Sequence, residues 1–269
     1  MEHKSLAYQD TAIHYHISGS GKTVLLLHGF GEDSQVWKDQ VDFLSPHFRV
    51  VVPDIPGSGN SDLIPNANIE TYAEVVREIM NHELAELPAT EQTFSLIGHS
   101  MGGYVAIAFA EKFPGMLDRL GFVHSSVFAD NTEKKETRKK AIDFINNNSP
   151  HAFLKTSTPA LFTKAFAEKN PGKVEALIEA GKQFTAAALI QYYEAMIARL
   201  DRTEILKQFP KPVLFVIGEH DMAIPLETSL QQCYLASHSE VHILHQSAHM
   251  GMWEETDKVN DILLKFLQS

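Results

Sequence analysis

A serine within a glycine-rich pentapeptide has the position most suggestive of chemistry in this chain. Gly98, Ser100 and Gly102 alternate in the run Ser-Leu-Ile-Gly-His-Ser-Met-Gly-Gly at residues 95–103. An apolar run precedes the serine, and apolar residues at helical spacing follow it as far as Pro114. A strand that turns sharply into a helix at a serine exposes the hydroxyl, provided that the residues two before and two after are small. Ser100 is therefore the candidate nucleophile for attack on a carbonyl carbon.

Strand-like and helix-like segments alternate along the rest of the chain. This pattern is typical of a mostly parallel sheet with helices on both faces. Apolar residues at helical spacing predict a helix over 72–87 and another over 259–267. We therefore predict the α/β class, with a doubly wound sheet of about eight strands. The strand candidates are residues 12–17, 23–27, 48–53, 93–97, 117–123, 213–217 and 240–244.

The alternation breaks once, between about residues 125 and 211, where helical patterns follow one another without a strand. Connections between two strands of such a sheet are normally much shorter. We predict that residues 127–207 form a helical cap, inserted into a core made of residues 1–126 and 208–269. Ligands bind outside the carboxyl ends of the strands in open α/β sheets, so the cap is expected to cover the site and to carry substrate selectivity.

A series of motifs resembles those of the α/β-hydrolase family, in the family's order and over nearly the full length. The resemblance implies an α/β-hydrolase fold with a helical cap, and hydrolysis by a serine, an aspartate and a histidine in that chain order. The motifs are Leu-His-Gly-Phe-Gly at 27–31, Asp-Ile-Pro-Gly-Ser-Gly-Asn-Ser at 54–61, the serine pentapeptide at 98–102, Gly-Glu-His-Asp at 218–221 and Ser-Ala-His-Met-Gly at 247–251.

Ser100, Asp221 and His249 obey the order that the resemblance implies. His249 would accept the hydroxyl proton, while Asp221 would accept the other ring N–H and stabilise the imidazolium that forms. Asp221 lies just beyond the predicted strand 213–217, at the sheet edge where Ser100 also emerges. Asp130 is an alternative acid, because the acid follows the strand equivalent to 117–123 in some relatives.

Attack on a carbonyl leaves negative charge on oxygen, which needs preorganised donors. The resemblance assigns them to the backbone N–H groups of Phe30 and Met101. Met101 also begins the predicted helix, whose positive dipole end would face this oxygen. His28 is implied to be structural, and Asp54 is expected to organise the loops beneath the oxyanion segment.

Two other glycine-rich segments are not predicted to bind phosphate. Residues 19–23 look like the end of a phosphate loop, but His16 stands where that motif needs a glycine. Residues 57–59 look like a dinucleotide fingerprint, but Asp62 stands at its third glycine. We therefore predict no cofactor and no metal.

Composition and charge limit the partners. The 269 residues are 44% hydrophobic, enough for one domain with an insertion, and the net charge of −11 disfavours binding to nucleic acid. The single cysteine, Cys233, excludes an internal disulfide and is predicted to be a small buried side chain. The sequence has no signal-like apolar start and no apolar run long enough to span a membrane. A soluble, cytoplasmic protein without a membrane partner is expected, with its oligomeric state left open.

Apolar residues of the predicted cap and its rim are candidates for lining an acyl pocket, since ligand sites are mostly apolar. A basic cluster at 134–140 is interleaved with acids, which predicts a solvated helix face with paired charges. Recruitment of an anionic substrate is the alternative for that cluster. The pocket candidates are Phe128, Phe162, Tyr192 and Met250.

Together these features predict a serine hydrolase that cleaves a small or medium carboxylic ester through an acyl-enzyme intermediate. The same three side chains could instead serve a carbon–carbon bond hydrolase, a lactonase or a perhydrolase. A ligand-binding member of the fold without activity is a further alternative. Dehalogenase and epoxide-hydrolase chemistry is disfavoured, because similar capped relatives use an aspartate as nucleophile. The natural substrate is not predicted.

Overall fold

An eight-stranded sheet forms the centre of the protein in the computed structural model, which describes residues 2–269. The order of strands across the sheet is β1-β2-β4-β3-β5-β6-β7-β8, so β1 and β8 form its two edges. In chain order the strands are β1 (Glu2–Tyr8), β2 (Thr11–Ser18), β3 (Thr23–Leu27), β4 (Arg49–Pro53), β5 (Phe94–His99), β6 (Leu117–Val123), β7 (Val213–Gly218) and β8 (Ser239–Leu244).

The sheet is mostly parallel, which confirms the predicted fold class. The first two strands pair antiparallel with their neighbours, and β3 to β8 run parallel. Strands β3, β5 and β7 are buried at every position, as expected for parallel strands covered on both faces. Neighbouring residues of β3 enter different hydrophobic clusters, Leu25 one and Leu26 the other, because successive side chains point to opposite faces.

Helices cover both faces of the sheet. No helix among residues 2–269 is long and apolar enough to cross a membrane. Cys233 is buried, as predicted, and burial raises the pKa of its thiol to about 11. The α-helices are α1 (Lys38–Leu44), α2 (Ile69–Leu84), α3 (Met101–Lys112), α4 (Thr132–Asn147), α5 (Pro150–Ser157), α6 (Lys164–Lys169), α7 (Pro171–Ala180), α8 (Ala186–Ala198), α9 (Thr203–Gln208), α10 (Leu226–Cys233), α11 (Gly251–Glu254) and α12 (Thr256–Gln268).

Strand β1 is the strand that the sequence does not predict. It pairs with β2 through a tight turn at Gln9 and Asp10, both of which have positive φ. Its residues alternate between exposed and half-buried, and none is fully buried. A strand that contributes so little to the core lacks the apolar alternation on which the prediction relies.

Helices α4 to α9 occupy the chain between β6 and β7, where the insertion is predicted. Helices α4, α5, α7 and α8 pack against one another, whereas α9 packs against α3 beside the sheet. Arg202, just before α9, is buried and pairs with Glu111 of α3 and Glu70 of α2. We call α4 to α8 the helical segment below, because α9 is bound to the main body of the fold.

Candidate active site

Ser100 lies in the sharp turn between β5 and α3, here called the nucleophile turn (residues 98–102). Its φ is +49°, an unfavourable conformation for a residue with a side chain. The turn needs glycines on both sides. A Cβ on Gly98 would lie 2.4 Å from backbone atoms of Gly102, and a Cβ on Gly102 would lie 2.6 Å from the Leu27 carbonyl oxygen. The pentapeptide pattern therefore reflects close contacts between backbone segments.

The structure brings Ser100, His249 and Asp221 into one hydrogen-bonded chain. His249 Nε2 lies 2.9 Å from Ser100 Oγ, and His249 Nδ1 lies 2.7 Å from Asp221 Oδ2. The other carboxylate oxygen of Asp221 accepts the backbone N–H groups of Ala223 and Ile224, at 2.8 and 2.9 Å. Asp221 thereby holds the histidine ring while its own position is fixed by backbone donors.

The Asp221 carboxyl is buried, yet its pKa is lowered rather than raised. Burial by itself raises the pKa of this carboxyl, but the nearby His249, which also hydrogen-bonds to it, and the adjacent His124 hold the pKa well below its usual range. The negative charge can therefore stabilise a positive charge that forms on His249.

His124 is a third buried group at Asp221 that the sequence analysis does not identify. It follows β6 directly and has a φ of +49°. Its Nε2 accepts the backbone N–H of Gly251 at 3.1 Å, so its Nδ1 carries the proton and faces Asp221 Oδ2 at 3.4 Å. Burial lowers the pKa of His124 to about 4, against the opposing effect of Asp221. The sequence signal that could have identified His124 is its position, as a polar residue, at the carboxyl end of a central strand.

Glu32 and His99 form a second buried pair behind these residues. His99 Nδ1 lies 2.9 Å from Glu32 Oε2, and its ring centroid lies 4.9 Å from that of His249. His99 is the residue just before Ser100, and Glu32 ends the segment His-Gly-Phe-Gly-Glu. The sequence analysis assigns no role to either.

The segment between β3 and the next helical turn, residues 28–33, is here called the oxyanion loop, after the role that the resemblance implies for Phe30. His28 donates from Nδ1 to the Gly29 carbonyl at 2.8 Å, and its Nε2 accepts the Ile55 N–H at 2.9 Å. Asp54 accepts the N–H groups of Ser34 and Asn60, at 2.9 and 3.0 Å. His28 and Asp54 thus tie the oxyanion loop to the loop after β4.

A cavity of about 790 Å³ opens beside Ser100 and His249. Its walls come mainly from the oxyanion loop, the loop after β6, the helical segment and the loop after Asp221. The apolar part of the lining includes Phe30, Phe128, Phe153, Leu154, Leu161 and Met196. The polar part includes Tyr104, Ser126, Asp130, Lys134, Arg138 and Arg199.

Of the four predicted pocket residues, only Phe128 is among those that line this cavity. Tyr192 is fully buried, and its hydroxyl donates to the carbonyls of Ile55 and Pro56. Met250 is also fully buried, within the hydrophobic cluster on one face of the sheet. Phe162 lines a different, shallower pocket. Helical spacing does not say which apolar face of a helix meets the cavity and which meets the core, so these three expectations are corrected.

Asp130, the alternative acid, does not contact His249. Its carboxylate accepts from Arg138 Nε at 2.6 Å and pairs with Arg199 Nη1 at 3.0 Å. The neighbouring Lys134 donates to the Ala223 carbonyl at 2.8 Å. Asp130 therefore anchors two arginines of the helical segment and its C-terminal connection.

Nitrogen and oxygen atoms of His124, Asp221 and His249 lie within 4.8 Å of one another, a spacing that could hold a metal ion. These same atoms form the contacts described above, with Asp221 between the two histidines. A metal ion would have to displace those contacts.

Comparison with known proteins places the chain in a family. The family model for the alpha/beta hydrolase fold matches residues 22–256. A putative carbamate hydrolase, RutD, of Agrobacterium fabrum is 26% identical over 258 residues, covering 95% of this chain and 96% of that protein. A pimeloyl-(acyl-carrier protein) methyl ester esterase of Vibrio atlanticus is 26% identical over 276 residues, covering 95% of this chain and 98% of that protein.

A solved structure agrees over the whole length. The thermophilic esterase of Thermogutta terrifontis superimposes with a TM-score of 0.91 at 26% identity, covering 100% of this chain and 98% of that chain. The family match spans most of the chain, and it includes both the nucleophile turn and the motif around His249 at 247–251. The chain therefore belongs to the alpha/beta hydrolase fold family.

Proposed function

We propose that the protein is a serine hydrolase that cleaves a small or medium carboxylic ester through an acyl-enzyme intermediate. The observation that carries the proposal is the continuous chain from Ser100 Oγ to His249 and on to Asp221, at 2.9 and 2.7 Å, on the wall of a cavity. A nucleophile, a base and a group that orients the base are the components that acyl transfer requires.

In the first half of the reaction, Ser100 Oγ attacks the ester carbonyl carbon while its proton moves to His249 Nε2. The tetrahedral intermediate collapses when the bond to the alcohol oxygen breaks, and His249 returns the proton to that oxygen. In the second half, water attacks the acyl-serine, and His249 takes a proton from the water and gives it back to Ser100. The products are one carboxylic acid and one alcohol.

The negative carbonyl oxygen would be bound by the backbone N–H groups of Phe30 and Met101. Met101 is the first residue of α3, so its N–H has no acceptor within that helix. Phe30 lines the cavity together with Ser100 and His249. Both donors lie on segments that are held in place by hydrogen bonds, which favours stabilisation of the transition state.

Substrate selection is assigned to residues 127–207, the cap of the sequence analysis. This part of the chain supplies the apolar wall at Phe128, Phe153 and Leu161. The volume of about 790 Å³ lies within the ordinary range of small-molecule sites, about 300–1,000 Å³. Two of the relatives above are named as esterases, which supports an ester as substrate.

The test compares two serines of the same cavity. Ser126 lines the cavity and its hydroxyl accepts the Phe128 N–H, whereas Ser100 contacts His249. Each is changed to alanine, and turnover of chromogenic esters of increasing acyl length is measured alongside covalent labelling by a fluorophosphonate. Ser100→Ala should lower turnover by about 10³-fold or more and abolish labelling, because the nucleophile is lost. Ser126→Ala should keep both.

A wild-type protein that turns over none of these esters and takes up no label would refute the proposal. Labelling that persists in Ser100→Ala would show that another residue is the nucleophile. Lactones and a carbon–carbon substrate are included in the screen, so that a preference for either replaces the ester assignment directly.

A further inference from the structure

We propose that His99 is a permanently protonated positioning residue, and that its ion pair with Glu32 holds the oxyanion loop, the nucleophile turn and the loop of His249 in one arrangement. This inference rests on the proposed function and adds residues to it. Glu32 is among the residues that line the cavity, whereas His99 is not. Both side chains would act through the backbone segments that they join.

Both ring nitrogens of His99 face oxygen atoms, and both of these oxygens are acceptors when Glu32 is ionised. Nδ1 lies 2.9 Å from Glu32 Oε2, and Nε2 lies 3.0 Å from the backbone carbonyl oxygen of His249. A neutral imidazole has one nitrogen that is itself an acceptor and would repel one of these oxygens. With an ionised Glu32, the contacts are both satisfied only by an imidazolium.

Glu32 is engaged on its other side by the oxyanion loop. The same oxygen, Oε2, accepts the backbone N–H of Gly29 at 2.7 Å. An oxygen that accepts from two donors favours the ionised carboxylate. Gly29 also leaves room for the pair, since a Cβ there would lie 3.0 Å from Glu32 Oε2, 3.0 Å from His99 Nδ1 and 3.1 Å from Ser100 Cβ.

The pair therefore connects three segments that are distant along the chain. Glu32 fixes the oxyanion loop next to the proposed donor Phe30. His99 immediately precedes Ser100, and its Nε2–H fixes the backbone of His249 itself. Without the pair, the segments that carry Phe30, Ser100 and His249 would no longer share a contact. Misplacement of a group by about 1 Å in such a site can cost about 100-fold in rate.

The charged surroundings of the pair agree with this assignment. His99 faces Glu32, His249, His124 and, farther off, Asp221, and Glu32 also faces His28. Burial opposes both charges, but Glu32 raises the pKa of His99, and His99 with the Gly29 N–H lowers the pKa of Glu32. His99 and Glu32 are both almost wholly shielded from bulk solvent.

The first measurement needs no mutation of the pair. The nitrogen chemical shifts of the His99 ring are followed by ¹⁵N NMR from about pH 5 to about pH 9, which spans the usual titration of histidine. A His99→Asn sample assigns the signals. Both ring nitrogens should carry a proton through the whole range. A single protonated nitrogen at neutral pH, with the proton on Glu32 instead, overturns the proposal.

The second measurement separates positioning from stability. Glu32→Gln keeps the shape of the side chain and removes its charge, and Glu83→Gln is its matched control. Glu83 is also a buried carboxylate, which accepts from Tyr15 and pairs with Lys4 and Arg49 away from the cavity. At a temperature where both variants are folded, Glu32→Gln should lower kcat by about tenfold to 100-fold with KM little changed. Glu83→Gln should keep the kcat of the wild type.

Equal kcat in the two variants overturns the positioning role, because the pair would then only stabilise the fold. The spectrum of Glu32→Gln gives a second check, since His99 should lose one ring proton by about pH 8 once the carboxylate is gone. Failure of the proposed function is seen separately, as an inactive wild type. Failure of this inference is seen as an active wild type whose His99 is neutral or whose Glu32→Gln variant is fully active.

Discussion

The backbone N–H of His249 donates to the carbonyl oxygen of Leu161 at 2.9 Å. Leu161 lies between α5 and α6 of the helical segment and lines the cavity. The proposed base is thus bound directly to a segment that lines the cavity. Glu254 strengthens this connection, because its two carboxylate oxygens accept the N–H groups of Thr163 and Ala248, at 2.7 and 2.8 Å.

Glu254→Gln should loosen the loop of His249 without touching the reacting atoms. An amide has one acceptor oxygen, so one of the two backbone N–H groups at Thr163 and Ala248 loses its partner. We expect a loss of about 1–3 kcal/mol in the free energy of unfolding and about tenfold in kcat. Denaturant titration and ester kinetics measure the two effects. Glu168→Gln, an exposed change on the same segment, should alter neither, and an equal effect of the two changes would contradict the coupling.

Asp221→Asn should lower kcat by about 10³-fold to 10⁴-fold, because an amide can hold His249 in the wrong tautomer and cannot stabilise its positive charge. Asp130→Asn tests the alternative acid. It should mainly lower stability, by about 3–5 kcal/mol, since it leaves Arg138 and Arg199 partly unpaired inside the protein. The larger kinetic loss in Asp130→Asn would reverse the assignment.

His124 should make the protein less stable in mild acid. Its pKa is lowered to about 4 in the folded state, mainly by burial, against a usual value of about 6.5. Between these values the unfolded chain binds more protons than the folded one. His124 therefore makes its full contribution to the free energy of unfolding above about pH 6.5. This contribution is lost as the pH drops toward about 4, and the loss is at most about 3 kcal/mol.

Denaturant titrations at several pH values measure this slope. His124→Asn should flatten it between about pH 6.5 and about pH 4, and asparagine tolerates the positive φ at this position. His47→Asn, a change at an exposed histidine, is the control and should keep the slope of the wild type. Equal slopes in all three proteins would mean that His124 does not titrate as described.

Two phenylalanines of the helical segment should differ in their effect on ester preference. Phe153 lines the cavity of Ser100, while Phe162 lines the other pocket and stacks on Phe166. Phe153→Ala should change the ratio of kcat/KM between long and short acyl chains by about tenfold, since one methylene is worth about 1–3 kcal/mol in an apolar pocket. Phe162→Ala should lower stability but keep that ratio. A change of the ratio in Phe162→Ala alone would move the acyl pocket to the second site.

The elements that sequence patterns predict are those with local signals. Residues 23–27 and 117–123 are strands with the predicted bounds. The first is an almost wholly apolar run, and the second is mostly apolar and follows the turn signal Pro-Gly at 114–115. The strand predicted at residues 93–97 has nearly the same bounds in the structure, Phe94–His99. Ser100, Asp221 and His249 each lie in a short motif that resembles one of the α/β-hydrolase family, so the resemblance allowed their meeting to be predicted.

Glu32 and His99 had no such signal, because their roles depend on contacts between distant parts of the chain. His99 and the His249 carbonyl, for example, are 150 residues apart. For His124 the signal was its position at the carboxyl end of a strand, which does not by itself indicate contact with Asp221. For Tyr192 the opposite is true, because a sequence signal was present but led to a wrong prediction. Its aromatic ring on an amphipathic helix suggested a pocket wall, but the hydrogen bonds of its hydroxyl to Ile55 and Pro56 fix it inside the core.

The two strands that form the edges of the sheet have a consequence for self-association. β1 carries Glu2, His3 and Lys4, and β8 carries Glu240 and His242, each on a strand with one unpaired side. A second copy that extended the sheet at either edge would have to bring these polar and charged side chains into close contact with its own strand. Such charges on edge strands oppose intermolecular β-pairing. The protein should therefore resist aggregation through its sheet even when it is concentrated.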